Sequence, residues 1–222
     1  MTNVSIVHDT DWQPKYLAYL APVLMMTMLV NQFLNLKSID VFGYGMIASN
    51  LTYPLSLIIG DILTEVYGFK RTRRLMYICL VLYALSAALV QLAVILPPAA
   101  DYKNNEMFVG LFGWLPQIVV AGIAGYLSGE LINSFVLSRL KIATKGKHFY
   151  FRALASTLIS QIINCVIFFG IGFWGIMSFE TIVTSAAVSI MIVLLYEILV
   201  LPITKKVALT LKEKEGIDHF DA

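Results

Sequence analysis

Cysteine, histidine and charge are all scarce in this chain of 222 residues, and each scarcity removes a class of chemistry. The two cysteines, Cys79 and Cys165, lack a Cys-x-x-Cys spacing and read as small apolar side chains in a reducing compartment. The three histidines, His8, His148 and His219, fall in the termini or a loop, so no buried metal cluster or Ser/His pair can be assembled from them. A phosphate-cradling glycine loop is also missing, so hydrolysis of ATP would fall to another chain. These absences predict a protein that is not an enzyme and that carries no cofactor and no metal. The segments between apolar runs are too short for a nucleic-acid-binding domain, which excludes direct nucleic-acid recognition. Only 14% of residues are charged against 59% hydrophobic, and the mean hydropathy of +0.79 excludes a soluble enzyme.

Apolar sequence is abundant and comes in blocks. Charge-free runs cover 16–36, 41–60, 75–100, 107–129, 153–179 and 181–196. Five of them are long enough to cross a bilayer, which takes roughly 20 helical residues. The sixth reaches that length only by continuing through Glu197 to Thr204, and so must bury an acid. The pattern predicts an all-α polytopic membrane protein with helices at about 16–36, 46–67, 75–97, 112–138, 153–175 and 181–204. A segment 1–15 precedes this six-helix domain, 16–204, and a tail 205–222 follows it. Gly43-Tyr44-Gly45 and Pro97-Pro98 mark turns on one side, and Gly68-Phe69 and Lys145-Gly146-Lys147 on the other. A break or short interfacial turn is expected near Gly110, Gly113 and Pro116.

The cations are distributed unevenly between the two sides. One side holds Lys37 and Lys103; the other holds Lys15, Lys70, Arg71, Arg73, Arg74, Arg139, Lys141, Lys145, Lys147, Arg152, Lys205, Lys206, Lys212 and Lys214. The positive-inside rule then predicts that both termini are cytoplasmic. The first run is followed by Asn35-Leu36-Lys37-Ser38, not by a small-residue cleavage site, so it reads as a retained span. Trp12, Tyr16, Trp114 and Trp174 near the span ends suit interfacial anchors.

Ionisable groups inside the runs are the informative exception, since each costs about 2.5 to 3.5 kcal/mol on insertion scales. Asp61 lies nine residues before Lys70, and Glu130 nine before Arg139. At 1.5 Å per residue this is ~13 Å inside the cations, near the middle of a hydrocarbon core ~30 Å thick. Glu197 and Gln161 reach a similar level, eight residues before Lys205 and nine after Arg152. Asp61 and Glu65 share a helix face with Asn50 and Pro54, Glu130 with Tyr126 and Asn133, Gln161 with Thr157 and Asn164, and Thr27, Asn31 and Asn35 form a stripe. Asn31, Asn35, Thr157 and Ser160 serve equally well as interhelical glue. Glu65 could equally be an interfacial acid paired with Arg71 or Arg73. Asp61 and Glu130 are too costly for that role and predict a polar pocket for a small solute, such as a planar heterocycle with amidine-like N–H groups or a small cation. Burial disfavours the charged form of an acid, which makes proton coupling the expectation for such a pocket.

The run Gly60-Asp61-Ile62-Leu63-Thr64-Glu65-Val66-Tyr67-Gly68-Phe69-Lys70-Arg71-Thr72-Arg73-Arg74 resembles the signature segment of the queuosine precursor transporter family, also called vitamin-uptake-transporter-like. Gly129-Glu130-Leu131-Ile132-Asn133, Arg152 through Gln161, Phe168 through Gly175, and Tyr196-Glu197 ahead of Pro202 are similar to further family segments. The resemblance implies a six-span bacterial inner-membrane importer of 7-cyano-7-deazaguanine and its aminomethyl relative. It implies a substrate site at Asp61, Glu65, Glu130, Asn133, Gln161, Asn164 and Glu197, with Arg71, Arg73 and Arg152 at a cytoplasmic gate or mouth. The implied partners are the deazaguanine and the lipid bilayer, with homo-oligomerisation open. The chain departs from the family in having Asn164 where members often have Asp, and apolar Ile192 and Val193 where they often have Lys. That change means either a removed ion pair or a changed substrate or coupling ion. A substrate-binding subunit of an energy-coupling-factor vitamin transporter, dependent on partner ATPases, is the alternative reading.

Overall fold

The computed structural model describes residues 14–41, 44–175 and 178–218; His8, Trp12, Gly43, His219 and the remainder of the terminal segments lie outside the described residues. Among these residues the chain folds as α1 (Leu17–Leu34), β1 (Ser38–Val41), β2 (Tyr44–Ile47), a 3-10 turn (Ala48–Leu51), α2 (Tyr53–Tyr67), α3 (Phe69–Ile95), α4 (Asn105–Phe112), α5 (Leu115–Ala143), α6 (Phe149–Gly172) and α7 (Phe179–Glu215). It is a helical, multi-pass membrane protein. Five helical stretches are long and apolar enough to cross a bilayer: α1, α3, α4 with α5, α6 and α7.

The second apolar run departs from the single long helix expected of it. Its first residues pair as an antiparallel hairpin, with Ser38 opposite Ile47 and Val41 opposite Tyr44, and the helix starts only at Tyr53. Pro54 sits in the first turn of α2, where its missing N–H costs nothing, so the start of the helix is fixed there. At 15 residues α2 extends only ~22 Å. Twelve of those residues are buried, which makes α2 the central rod of the bundle. Tyr67 closes it, Gly68 turns the chain, and α3 departs from Phe69.

The break expected near Gly110, Gly113 and Pro116 is present, and the last helix is longer than its apolar run. The fourth run breaks at Gly113, separating short α4 from α5, which opens with Pro116 in its first turn. The last helix does not stop near Thr204 but runs 37 residues through Pro202 and the charged tail to Glu215, capped at its start by Ser178, which accepts from the Thr181 N–H at 3.2 Å. α5 and α6 pack at glycine distance: a Cβ on Gly129 would come within 2.8 Å of Asn164 Cβ and 3.3 Å of the Ser160 carbonyl. Such small-residue contacts let helices without a hydrophobic driving force approach closely.

Candidate functional site

The pairing of α2 with α5 builds the deepest part of the site. Residues 60, 61 and 64 face residues 130, 133 and 134 across the two helices. The Glu130 carboxylate lies against Gly60 so closely that a Cβ there would fall 1.9 Å from its Oε1. Asn133 Nδ2 donates to Asp61 Oδ1 at 2.7 Å, and Thr64 Oγ1 to Ser134 Oγ at 2.9 Å. α7 adds Glu197, an electrostatic neighbour of both Asp61 and Glu130. Thr157 of α6 stands beside Glu197 without meeting hydrogen-bond geometry. Asp61 and Glu130 are each 1% exposed and Glu197 4%. None of the three forms an ion pair among the described residues, and both oxygens of Glu130 and of Glu197 have no hydrogen-bond partner. Buried carboxylates without a partner are costly in any fold, so each calls for an explanation.

About two turns away along α2, toward the hairpin, lies a cavity of about 80 Å³, several times the ~15 Å³ that one water needs on the same measure. Its walls come from α1, the 3-10 turn and α2, α3, α5, α6 and α7, and its lining contains no charged residue. Four asparagines there are committed to holding elements together. Ser49 Oγ donates to Asn35 Oδ1 and Thr52 Oγ1 to Asn31 Oδ1, both at 2.5 Å; Asn50 Nδ2 donates to Ser189 Oγ at 2.9 Å; and Asn164 Nδ2 donates to the Tyr53 hydroxyl. Gln161 Nε2 and the Tyr126 hydroxyl also line the cavity and are buried without a hydrogen-bond partner among the described residues. Tyr126 is one helical turn from Glu130, so cavity and acidic layer meet on α5.

A third polar level lies one turn beyond Asp61, at the cation-rich end of the bundle. Arg152 grips Glu65 with two guanidinium hydrogen bonds, at 2.8 and 3.3 Å, and Lys212 Nζ donates to Glu65 Oε1 at 2.6 Å. Lys141 Nζ donates to the Glu65 carbonyl at 2.8 Å and pairs with Asp218 at 2.6 Å, while Lys212 reaches Asp218 at 3.0 Å. The partners of Glu65 are thus Arg152, Lys141 and Lys212, not the expected Arg71 or Arg73. Folding of the tail onto the bundle is the reason, since it delivers Lys212 and Asp218 from far along the chain. Beside this cluster, Glu215 of α7 accepts from the backbone N–H groups of Lys15 and Tyr16 at 3.1 and 2.8 Å and from the Tyr67 hydroxyl at 2.8 Å. The end of α7 and the residues after it therefore tie down the start of α1, α2 and α5.

The residues singled out in the sequence separate into four places. Gln161 and Asn164 line the cavity; Asp61, Glu130, Asn133 and Glu197 form the acidic layer; Glu65 and Arg152 are locked in the ion cluster; Arg71 is half-buried and Arg73 exposed, its guanidinium 5.3 Å above the Phe69 ring. Of Asn164, Ile192 and Val193, Asn164 and Val193 line this cavity and Ile192 does not. Sequence reasoning passed over Tyr53 and Ser189, which carry no periodic signal because an isolated hydroxyl in an apolar run looks like ordinary span composition.

A family model described as "Putative vitamin uptake transporter" matches residues 47–207, from the end of β2 into the last part of α7, and so includes the acidic layer and the cavity lining other than Met28, Asn31 and Asn35 of the first helix and its end. A protein of Bacillus subtilis (strain 168) named "Probable queuosine precursor transporter" is 22% identical over 141 residues, which cover 63% of this chain and 62% of that protein. The match thus spans less than two thirds of the relative's length. No solved structure matches the chain.

Proposed function

The chain belongs to the vitamin uptake transporter family, a family of transporters and not of enzymes, and from that premise we propose that it imports a queuosine precursor across a bacterial inner membrane. The substrate would be 7-cyano-7-deazaguanine or its 7-aminomethyl relative. The observation that carries this reading is the set of unpartnered groups where cavity and acidic layer meet: the Glu130 carboxylate, the Tyr126 hydroxyl and Gln161 Nε2. A deazaguanine presents an N1–H beside an exocyclic amine, which one carboxylate accepts side by side, and a carbonyl that a carboxamide N–H can meet. An uncharged cavity lining suits a neutral planar ring, which favours the 7-cyano compound over its 7-aminomethyl relative, an alkylammonium at neutral pH.

In this reading both termini are cytoplasmic, and the hairpin, 3-10 turn and α2 together complete a sixth crossing. An interrupted element of that kind is where transporters build their sites, because its backbone is shielded by surrounding helices. Substrate enters from the hairpin side and settles over the acids, while the Glu65 cluster closes the cytoplasmic end until it opens for release. Asp61, Glu130 and Glu197 then serve both substrate and coupling proton.

Cells unable to make the deazaguanine provide the test. Expression of this chain alone should restore queuosine in their tRNA when the precursor is supplied. Absence of recovery with the protein present in the membrane overturns the proposal, and recovery only when partner ATPases are added assigns it to the energy-coupling-factor class.

A further inference from the structure

Between α3 and α5, at the cation-rich end and away from the cavity, lies a second crevice of about 450 Å³. Its rim carries Lys70, Arg73 and Arg139, its walls are Phe69, Phe135, Leu131 and Ile132, and among the described residues no carboxylate lines it. Two rings set its geometry. Phe69 and Phe135 pack edge to face with centroids 5.9 Å apart, and each supports a guanidinium, Arg73 at 5.3 Å and Arg139 at 5.1 Å. Both arginines are exposed, and neither forms an ion pair among the described residues.

The electrostatics of α3 add a second argument. Its first turn holds Lys70 and Arg71 and no acid, so cations crowd the positive end of the helix dipole. An orientation signal accounts for cations at this end of the molecule. It does not account for guanidinium groups of two helices converging over one apolar crevice. Leu131 and Ile132 precede Arg139 by eight and seven residues, about 11 to 12 Å deeper along α5. A charged rim above an apolar wall of that depth has the outline of a phospholipid, headgroup outward and chain inward.

We propose that this crevice is a binding site for an anionic phospholipid, with the phosphodiester between Arg73 and Arg139 and an acyl chain along Leu131 and Ile132. Planar guanidinium forks suit phosphate oxygens, and basic pockets between helices on the cytoplasmic side are the expected place for such headgroups. The inference rests on the chain being membrane-embedded but not on the identity of its substrate, so a failure to import any deazaguanine leaves it standing.

The test uses the purified full-length chain in a neutral detergent, with phosphatidylglycerol, phosphatidylcholine or inorganic phosphate added. Native mass spectrometry should show phosphatidylglycerol retained over phosphatidylcholine, and phosphatidylglycerol alone should raise the melting temperature. The double variant R73Q/R139Q should hold phosphatidylglycerol about tenfold more weakly or worse, the loss of charge-assisted hydrogen bonds, while R73K/R139K keeps part of the preference. Added salt should weaken phosphatidylglycerol retention by the wild-type chain, a measurement that needs no variant. Equal retention of the two lipids, undiminished retention by R73Q/R139Q, retention insensitive to salt, or the same thermal shift with inorganic phosphate overturns the proposal.

Discussion

Two buried acids, Asp61 and Glu130, differ in how the fold treats them, and that difference sets the expected behaviour of their variants. Asp61 accepts from Asn133 at 2.7 Å, whereas both oxygens of Glu130 lack a hydrogen-bond partner among the described residues. Glu130→Gln should abolish uptake while expression and folding persist, since no protein partner loses a bond; transport assays paired with membrane immunoblots check this. Asp61→Asn should also abolish uptake, and wild-type rates in both variants would return these acids to a structural role. Gly60 offers a finer probe. The nearest atoms to an alanine Cβ there belong to the end of the Glu130 side chain, so Gly60→Ala should displace the carboxylate and lower uptake more than it lowers the melting temperature. Gly129→Ala meets Asn164 Cβ and the Ser160 carbonyl, which cannot swing aside, and should instead cost about 1 to 3 kcal/mol of stability, read as a lowered melting temperature. Asp61, Glu130 and Glu197 were legible as residues because acids stand out in apolar runs. Tyr53 and Ser189 were not, because a hydroxyl acquires meaning only from the neighbours the fold assigns to it.

At the scale of elements, α2 and the end of α7 are where sequence and structure part most. Hydropathy marked 41–60 as apolar but cannot distinguish a buried strand from a helix, and the run holds a strand, a 3-10 turn and the first half of α2. The 37 residues of α7 extend past the apolar block because its charged tail packs on other helices, a gain invisible to a local average. Glu65 shows what that extension does: it is 3% exposed yet fully matched by Arg152, Lys141 and Lys212. Removing one member of a buried ion cluster strands the rest, so Glu65→Gln or Arg152→Ala should destabilise the protein by roughly 3 to 5 kcal/mol. Thermal unfolding in detergent measures that loss. Glu215→Ala removes the bonds that hold Lys15 and Tyr16 N–H and the Tyr67 hydroxyl, and should raise proteolysis at the cation-rich end without touching the cavity.

For the whole molecule, the arrangement of an uncharged cavity over an acidic layer over a closed ion cluster predicts how transport responds to the medium. If protons accompany the precursor inward, initial uptake should rise as the external medium is acidified and collapse on addition of a protonophore. Uptake indifferent to both would make the transport a facilitated diffusion. Reporter fusions at each end check that the cation-rich side faces the cytoplasm. Composition and charge-free run lengths by themselves determined a helical membrane protein, because the cost of exposing backbone to lipid leaves few architectures for such a chain. The family was legible too, since the segment from Gly60 to Arg74 is local in sequence. Tertiary structure alone decided which acids are paired and which are bare. Glu65 and Asp61 are one turn apart on α2 and look alike in sequence, yet only Glu65 lies within reach of α6 and the end of α7, whose cations neutralise it. Pairing depends on what long-range packing brings within about 4 Å, and no local pattern carries that information.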